Sequence, residues 1–122
     1  MNETILLVED DEGLRRLAQR LLAKLGYTVL AAGDGKTAVA TCRDSANDIK
    51  LLITDVFMPD IGGPELAQKL LEILPAMKVL YVSGSDDALS DGGIPAPSAH
   101  FLQKPYTQDQ IRTKIREILD QA

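Results

Sequence analysis

Residues 51–63 read Leu-Leu-Ile-Thr-Asp-Val-Phe-Met-Pro-Asp-Ile-Gly-Gly, and the apolar run that opens this stretch stops abruptly at the carboxylate of Asp55. The turn-prone residues Pro59, Gly62 and Gly63 follow it. A short apolar run that ends in a polar residue is typical of a buried strand that delivers this residue to its carboxyl end. Ligands bind at the carboxyl ends of strands in open parallel sheets. Asp55 is therefore the first candidate functional residue, and the alternative is an aspartate that only caps the following turn.

The composition indicates a single globular domain over residues 1–122. The chain has 122 residues, of which 45% are hydrophobic, so it is long and apolar enough to bury a core. Its net charge of -5 argues against a nucleic-acid-binding surface, which needs clustered cations. Cys42 is the only cysteine, so no internal disulfide can form and we expect a reducing, cytoplasmic location. No apolar run approaches the ~20 residues of a membrane span and no signal-peptide pattern opens the chain, so we expect no membrane insertion.

Apolar periodicity predicts alternating strands and helices along the first two thirds of the chain. Strands are predicted at Ile5–Val8, at Thr28–Ala32, at the run ending in Asp55 and at Val79–Val82. Helices are predicted between them, because apolar residues recur there at intervals of three and four. The predicted inner faces of these helices comprise Leu14, Leu17, Ala18, Leu21, Leu22 and Leu25, then Ala38, Val39 and Cys42, and then Leu66, Ala67, Leu70, Leu71 and Leu74.

The last third of the chain has a weaker pattern. A short helix is predicted between Asp86 and Asp91, and the Gly- and Pro-rich stretch 92–97 prevents a longer one, so we expect low hydrogen-exchange protection there. A fifth strand is predicted at His100–Leu102. Thr107, followed three residues later by Gln110, forms the capping-box pattern of a last helix. The predicted inner face of that helix comprises Ile111, Ile115, Ile118 and Leu119.

Alternating strands and helices with short connections predict an α/β fold with helices on both faces of a parallel sheet. The specific prediction is a doubly wound, five-stranded, flavodoxin-like (βα)5 fold with the strand order 2-1-3-4-5. In that order the topological switch point lies between the first and third strands. These are the strands that end at Glu9-Asp10 and at Asp55.

The ends of four predicted strands carry polar residues that should meet at one edge of the sheet, namely Glu9, Asp10, Asp55, Ser83 and Lys104. Three carboxylates that lie close together repel one another unless a cation sits among them. Oxygen ligands of this kind suit Mg²⁺, and a lysine and a hydroxyl suit phosphoryl oxygens. The residues therefore predict a phosphoryl-transfer site in which an aspartate can be the covalent acceptor. Each residue also has an ordinary explanation, as a helix-start charge, a turn former or a solvated lysine.

In these motifs the chain resembles the receiver domains of two-component response regulators, and the resemblance extends from Ile5 to about Leu119. The motifs in question are the acidic stretch 7–12, the segment 54–59 around Asp55, Ser83-Gly84 and Lys104-Pro105. Residues 101–106, together with 82–84, further resemble receivers attached to hybrid histidine kinases.

The resemblance implies a role for each residue of the predicted metal site. Asp55 matches the phosphoacceptor and a ligand of Mg²⁺. Asp10 matches a second direct ligand of Mg²⁺, and the backbone carbonyl of Phe57 matches a third. Glu9 matches a residue that contacts the metal through water. A bulky Phe57 two residues after the acceptor is expected to hinder hydrolysis of the acyl phosphate.

The resemblance also implies how phosphorylation is read out. Ser83 and Lys104 match the residues that contact the phosphoryl group, and the bond before Pro105 is expected to be cis. Ser83 and Phe101 match the switch pair, in which the hydroxyl moves toward the phosphoryl group and the ring fills the vacated space. The family more often carries Thr and Tyr at these two positions, so only a packing form of the switch is expected here.

The function that the resemblance implies is signalling, not enzymatic turnover. Asp55 would take a phosphoryl group from a phosphohistidine on a histidine kinase or a histidine phosphotransfer protein, and a switched surface would bind a downstream effector. The domain is expected to be either a stand-alone receiver or part of a larger protein. Three alternatives remain at this point: an aspartyl-phosphate hydrolase of the haloacid-dehalogenase type, a flavodoxin-like nucleotide or flavin binder, and a degenerate receiver that acts by binding alone.

Overall fold

A computed structural model describes residues 3–44, 49–56, 60–83 and 100–120. The elements of this part of the chain are, in order, β1 (Thr4–Val8), α1 (Glu12–Lys24), β2 (Thr28–Ala32), α2 (Gly35–Asp44), β3 (Ile49–Asp55), α3 (Gly63–Ile73), β4 (Lys78–Ser83), β5 (His100–Gln103) and α4 (Gln108–Leu119). The short helix predicted between Asp86 and Asp91 lies outside the described residues.

The five strands form one parallel sheet in the order β2-β1-β3-β4-β5, which confirms the predicted topology. The apolar runs of β1 and β3 lie in the middle of the sheet and are buried on both faces, as continuous runs in parallel sheets are. The order reverses between β1 and β3, so the carboxyl ends of these two strands flank the switch point where ligands bind in such sheets.

Alternating side chains divide the core into two clusters, one on each face of the sheet. On one face Leu6 and Leu52 pack with buried residues of α2 and α3, including Ala38 and Leu66. On the other face the strands pack with Leu22 of α1 and with the inner face of α4. The fully buried residues of that inner face are Ile111, Ile115 and Ile118, as predicted.

Local capping explains where the helices begin and end. Asp11 begins α1, and its carboxylate accepts a hydrogen bond from the Leu14 amide at 2.9 Å. Gly26 follows α1 with a φ of 104°, a conformation that glycine adopts without strain. Thr107 and Gln110 form the predicted capping box at the start of α4.

The prediction for the first half of α1 was wrong. Leu14 and Leu17 were placed on the inner face, but they are 48% and 64% exposed. Leu22 is fully buried, and Ala18, Leu21 and Leu25 pack partly against the core. Periodicity identifies the apolar face of a helix, but it does not show how far along that face the core reaches. Among the described residues, no helix is long and apolar enough to cross a bilayer.

Candidate functional site

Strand register brings the predicted site residues to one edge of the sheet. Val8 of β1 pairs with Thr54 of β3, so the next residues, Glu9 and Asp55, lie side by side. Asp55 in turn pairs with Val82 of β4. Two hydrogen bonds continue the ladders past the strand ends, from the Glu9 amide to the carbonyl of Ala32 and from the Val56 amide to the carbonyl of Val82, each 3.1 Å long.

The carboxylates of Glu9, Asp10 and Asp55 form a cluster at this edge, with one oxygen of each within 4.8 Å of the others. Glu9 and Asp55 are buried, with 5% and 9% of their surface exposed, whereas Asp10 is exposed. Buried carboxylates need a compensating cation. The three oxygens are hard ligands on one side of a site open to solvent, a donor set that fits a small divalent cation.

Lys104 supplies a positive charge to the same cluster. Its ammonium group donates hydrogen bonds to a carboxylate oxygen of Glu9 and, at 3.1 Å, to Oδ2 of Asp55. The Lys104 amide donates to the carbonyl of Ser83 at 2.8 Å, which extends the pairing of β4 with β5 by one residue. The bond between Lys104 and Pro105 is cis, the isomer that the family resemblance implies.

Burial and the neighbouring charges shift the pKa values of the groups in the cluster in different directions. Burial, together with the adjacent Glu9, raises the pKa of Asp55 to about 7, although Lys104 acts in the opposite direction. Burial also acts to raise the pKa of Glu9, but hydrogen bonds from Lys104, Asp55 and the Asp11 amide outweigh it and the pKa is lowered. Burial acts to lower the pKa of Lys104, but its two carboxylate partners raise it. One lysine therefore does not balance the buried carboxylates, and a divalent cation would favour the ionised form of Asp55.

A comparison with known protein families agrees with the site formed by Glu9, Asp10, Asp55 and Lys104. A family model described as the response regulator receiver domain matches residues 5–116. The chain belongs to this family. Membership makes it a receiver domain of two-component systems, and phosphoacceptor signalling is the role consistent with its relatives. The hydrolase and flavin-binding alternatives find no support in these relatives.

Two curated relatives and one solved structure illustrate the similarity. The receiver domain is 33% identical over 118 residues to the sensor kinase CckA of Brucella abortus, spanning 96% of this chain but only 12% of that protein. It is 33% identical over 116 residues to the response regulator receiver protein CpdR of the same organism, spanning 94% of this chain and 95% of that protein. The crystal structure of the receiver domain from the hybrid histidine kinase CckA matches with a TM-score of 0.81 and 35% identity, over 95% of this chain and 98% of that one.

The other predicted residues of the receiver domain occupy neighbouring positions. Ser83 is buried and is the last residue of β4, one position beyond the partner of Asp55. Phe101 pairs with Tyr81 across β4 and β5 and is partly buried against the core. Phe57, whose carbonyl was predicted as a metal ligand, lies outside the described residues.

Two polar residues that were not predicted from the sequence, Arg15 and Thr54, support the site. The Arg15 guanidinium donates to the Glu9 carbonyl at 2.9 Å and so holds the end of β1 against α1. The buried Thr54 hydroxyl donates to the Asp55 carbonyl at 3.1 Å. Thr54 directly precedes Asp55, which was a usable signal, but nothing in the sequence pairs Arg15 with a carbonyl six positions earlier.

An apolar groove adjoins the acidic cluster, with a volume of about 660 Å³. The exposed leucines of α1, Leu14 and Leu17, line it together with Pro105 and Tyr106. Glu9 and Lys104 also line the groove, and Lys104 in turn contacts Asp55, the candidate phosphoacceptor.

Proposed function

We propose that Asp55 is the residue that accepts a phosphoryl group and that Mg²⁺ is bound beside it. The observation that carries the proposal is the Lys104 ammonium group, which lies 3.1 Å from Asp55 Oδ2 at the edge of a cluster of three carboxylates. A nucleophilic carboxylate, a fixed cation and a metal-binding cluster are the parts that phosphoryl transfer to an aspartate needs.

Transfer requires the ionised form of Asp55. Its carboxylate oxygen forms a bond to phosphorus while the bond between phosphorus and the donor imidazole nitrogen breaks, and the electron pair leaves with the imidazole. In this proposal the Lys104 ammonium group would neutralise charge on the phosphoryl oxygens, and the Ser83 hydroxyl would donate a hydrogen bond to one of them.

Four groups would hold the metal: the carboxylates of Asp10 and Asp55, the backbone carbonyl of Phe57, and Glu9 through water. Mg²⁺ bound there would stabilise the negative charge that develops on the transferred group. Asp10 is exposed while Glu9 and Asp55 are buried, so the cluster is open to solvent at Asp10.

The groove beside the cluster suggests how the phosphodonor binds. Leu14 and Leu17 are large apolar residues exposed to solvent next to Lys104, and covering them would contribute favourable free energy to docking. A histidine kinase or a histidine phosphotransfer protein that packs an apolar helical face against them would bring its phosphohistidine to Asp55. We further propose that residues 1–122 act as one such domain in the cytoplasm, as a signalling acceptor and not as an enzyme.

Phosphorylation would act on a downstream effector through Ser83 and Phe101. Because Phe101 packs beside the strand that ends in Ser83, movement of the Ser83 hydroxyl toward the phosphoryl group would change the packing available to the ring. If Ser83→Ala left phosphorylation-dependent effector binding unchanged, this coupling would be wrong.

The experiment that tests the function is intact-mass measurement after incubation with acetyl phosphate and Mg²⁺. The parent protein should gain one phosphoryl mass and Asp55→Ala none, while Asp44→Ala, which removes an exposed carboxylate at the end of α2, should behave like the parent. No gain in any of the three proteins, with no binding of Mg²⁺ by the parent in calorimetry, would instead support a receiver that signals by binding alone.

A further inference from the structure

The short segment between β1 and α1 carries two of the three clustered carboxylates, those of Glu9 and Asp10. Hydrogen bonds fix this segment on both sides of Asp10. On one side, the Glu9 amide donates to the carbonyl of Ala32 at 3.1 Å. On the other side, the Asp11 amide donates to Oε2 of Glu9 at 3.2 Å, and the Asp11 carboxylate caps α1. Asp10 itself is exposed, so the backbone of its two neighbours limits where its carboxylate can lie.

Arg15 closes this segment from the side of α1. Its backbone amide donates to the Asp11 carbonyl at 2.8 Å, and its guanidinium donates to the Glu9 carbonyl at 2.9 Å. One residue is therefore bonded to both neighbours of Asp10. The guanidinium bond has a charged donor and is partly buried, and both properties make it stronger than a hydrogen bond between neutral groups at the surface.

The guanidinium of Arg15 lies against the backbone of Gly33, directly after β2. A Cβ atom on Gly33 would lie 2.8 Å from Nη1 of Arg15 and 3.5 Å from its Cζ. Nη1 is the nitrogen that donates to the Glu9 carbonyl. Gly33 does not have the left-handed backbone conformation that favours glycine, so a side chain there would displace the guanidinium without straining the backbone.

We propose that Arg15 is a positioning residue, whose guanidinium, seated on Gly33 and bonded to the Glu9 carbonyl, holds Asp10 where the carboxylate cluster can bind a divalent cation. The inference rests on the proposed function and adds to it a residue outside the cluster. If the guanidinium bond opens, the cation must also order the segment around Asp10. The apparent affinity for the cation then falls with the fraction of molecules in which this segment is held.

The charge of Arg15 and its positioning role affect cation binding in opposite directions. A guanidinium bonded to Glu9 repels a cation bound at the neighbouring carboxylates, so loss of the charge alone would tighten binding. Loss of the hydrogen bond would instead weaken binding. The sign of the change in affinity therefore distinguishes the two effects. Arg16 is the matched control, because it carries the same charge on the next residue and pairs with Glu12 at the exposed surface of α1, at 2.7 Å.

The test measures Mg²⁺ affinity by calorimetry in the parent protein, Arg15→Met and Arg16→Met. Methionine keeps an unbranched apolar stem and a helix propensity close to that of arginine, but it removes the charge and the donors. Arg15→Met should weaken Mg²⁺ binding about three- to tenfold, the factor in an equilibrium constant that one hydrogen bond contributes. Arg16→Met should bind Mg²⁺ within about twofold of the parent or more tightly.

Gly33→Ala perturbs the same contact from the side of β2 and keeps the charge of Arg15. Because the added methyl group displaces Nη1, this variant should weaken Mg²⁺ binding by about threefold or more. The double variant Arg15→Met/Gly33→Ala should bind no more weakly than Arg15→Met alone, since both changes act through one guanidinium.

Hydrogen exchange in the absence of Mg²⁺ measures the positioning without the cation. The Asp11 amide, which donates to Glu9, reports on the segment around Asp10. Its exchange should be faster in Arg15→Met than in the parent and unchanged in Arg16→Met.

The possible results separate the inference from the function on which it rests. If the parent binds Mg²⁺ and gains a phosphoryl group, but Arg15→Met or Gly33→Ala binds Mg²⁺ as tightly as the parent, the positioning role is wrong and the function stands. Equal weakening in Arg15→Met and Arg16→Met would also overturn it, because a general change in α1 would then explain the effect. If the parent neither binds Mg²⁺ nor accepts a phosphoryl group, the proposed function fails and this inference fails with it.

Discussion

Replacing Asp55 by asparagine should stabilise the protein when no divalent cation is present, and increasingly so as the pH rises. Asparagine has nearly the shape of a protonated aspartate but cannot ionise. In the parent, Asp55 must carry its charge beside Glu9 in a buried cluster that has one lysine. The variant removes this charge, and the ion pair between Lys104 and Glu9 remains.

The sign follows from the pKa of Asp55, which rises from an ordinary value of 3.8 to about 7 in the folded protein. Between these values the folded state holds a proton that the unfolded state has lost, so stability falls as the pH rises. From pH 5 to pH 8 the loss would be at most about 2.5 kcal/mol for an isolated group. Because solvent reaches the cluster and screens it, we expect about 1–2 kcal/mol.

The assay is urea unfolding of the parent and Asp55→Asn at pH 5 and pH 8 in the presence of a chelator. The advantage of the variant over the parent should be larger at pH 8 than at pH 5, by about 1–2 kcal/mol. The lowered pKa of Glu9 and the raised pKa of Lys104 place their stability changes outside this pH range. Asp44→Asn is the matched control, because it removes an exposed carboxylate and should show no difference that grows with pH.

A constant difference in stability between parent and variant across the pH range would show that the effect does not arise from ionisation of Asp55. Mg²⁺ provides a further check at pH 8. Because it would bind the ionised cluster, it should stabilise the parent more than Asp55→Asn and reduce the advantage of the variant.

Three further outcomes are expected. Gly63→Ala should destabilise the protein by about 2–3 kcal/mol in thermal unfolding, because its Cβ would lie 2.1 Å from the Asp55 carbonyl oxygen, whereas Gly62→Ala, with its nearest contact at 3.8 Å, should change little. Leu17→Ser should slow phosphoryl transfer from a phosphohistidine protein roughly tenfold but leave the rate with acetyl phosphate unchanged, because it alters only the docking groove. Phe57→Asn should shorten the lifetime of the acyl phosphate, followed by loss of the phosphoryl mass with time, and an unchanged lifetime would contradict the proposed hindrance of water.

The sheet and its acidic edge could be predicted from the sequence because both depend on short-range patterns. Continuous apolar runs identified the buried strands, and the polar residue that ends each run marked one edge of the sheet. Once the strand order is known, register alone places Glu9 beside Asp55 and Lys104 next to the end of β4. The value of the Asp55 pKa was not predictable in this way, because it depends on burial and on how strongly Lys104 interacts with each of its two carboxylate partners.

Contacts between side chains and distant backbone groups have no recognisable pattern in the sequence. Asp60 looks like an ordinary turn residue in the sequence, yet its carboxylate caps a helix that begins 25 positions earlier. Arg15 lies in the exposed first half of α1 and reaches a carbonyl at the end of β1. Hydrogen bonds of this kind depend on how close two loops come after folding, and neither composition nor periodicity determines that distance.

The two leucines of α1 show why a departure from the expected pattern can point to function. Their spacing fits a buried face, and a helix that served only the core would cover Leu14 and Leu17. They are instead exposed and line the same groove as Lys104 and Glu9, which belong to the charged cluster around Asp55. Contiguous exposed apolar surface is typical of a site that a partner covers. The same helix therefore stabilises the sheet with its second half and, in the proposed function, presents its first half to the phosphodonor.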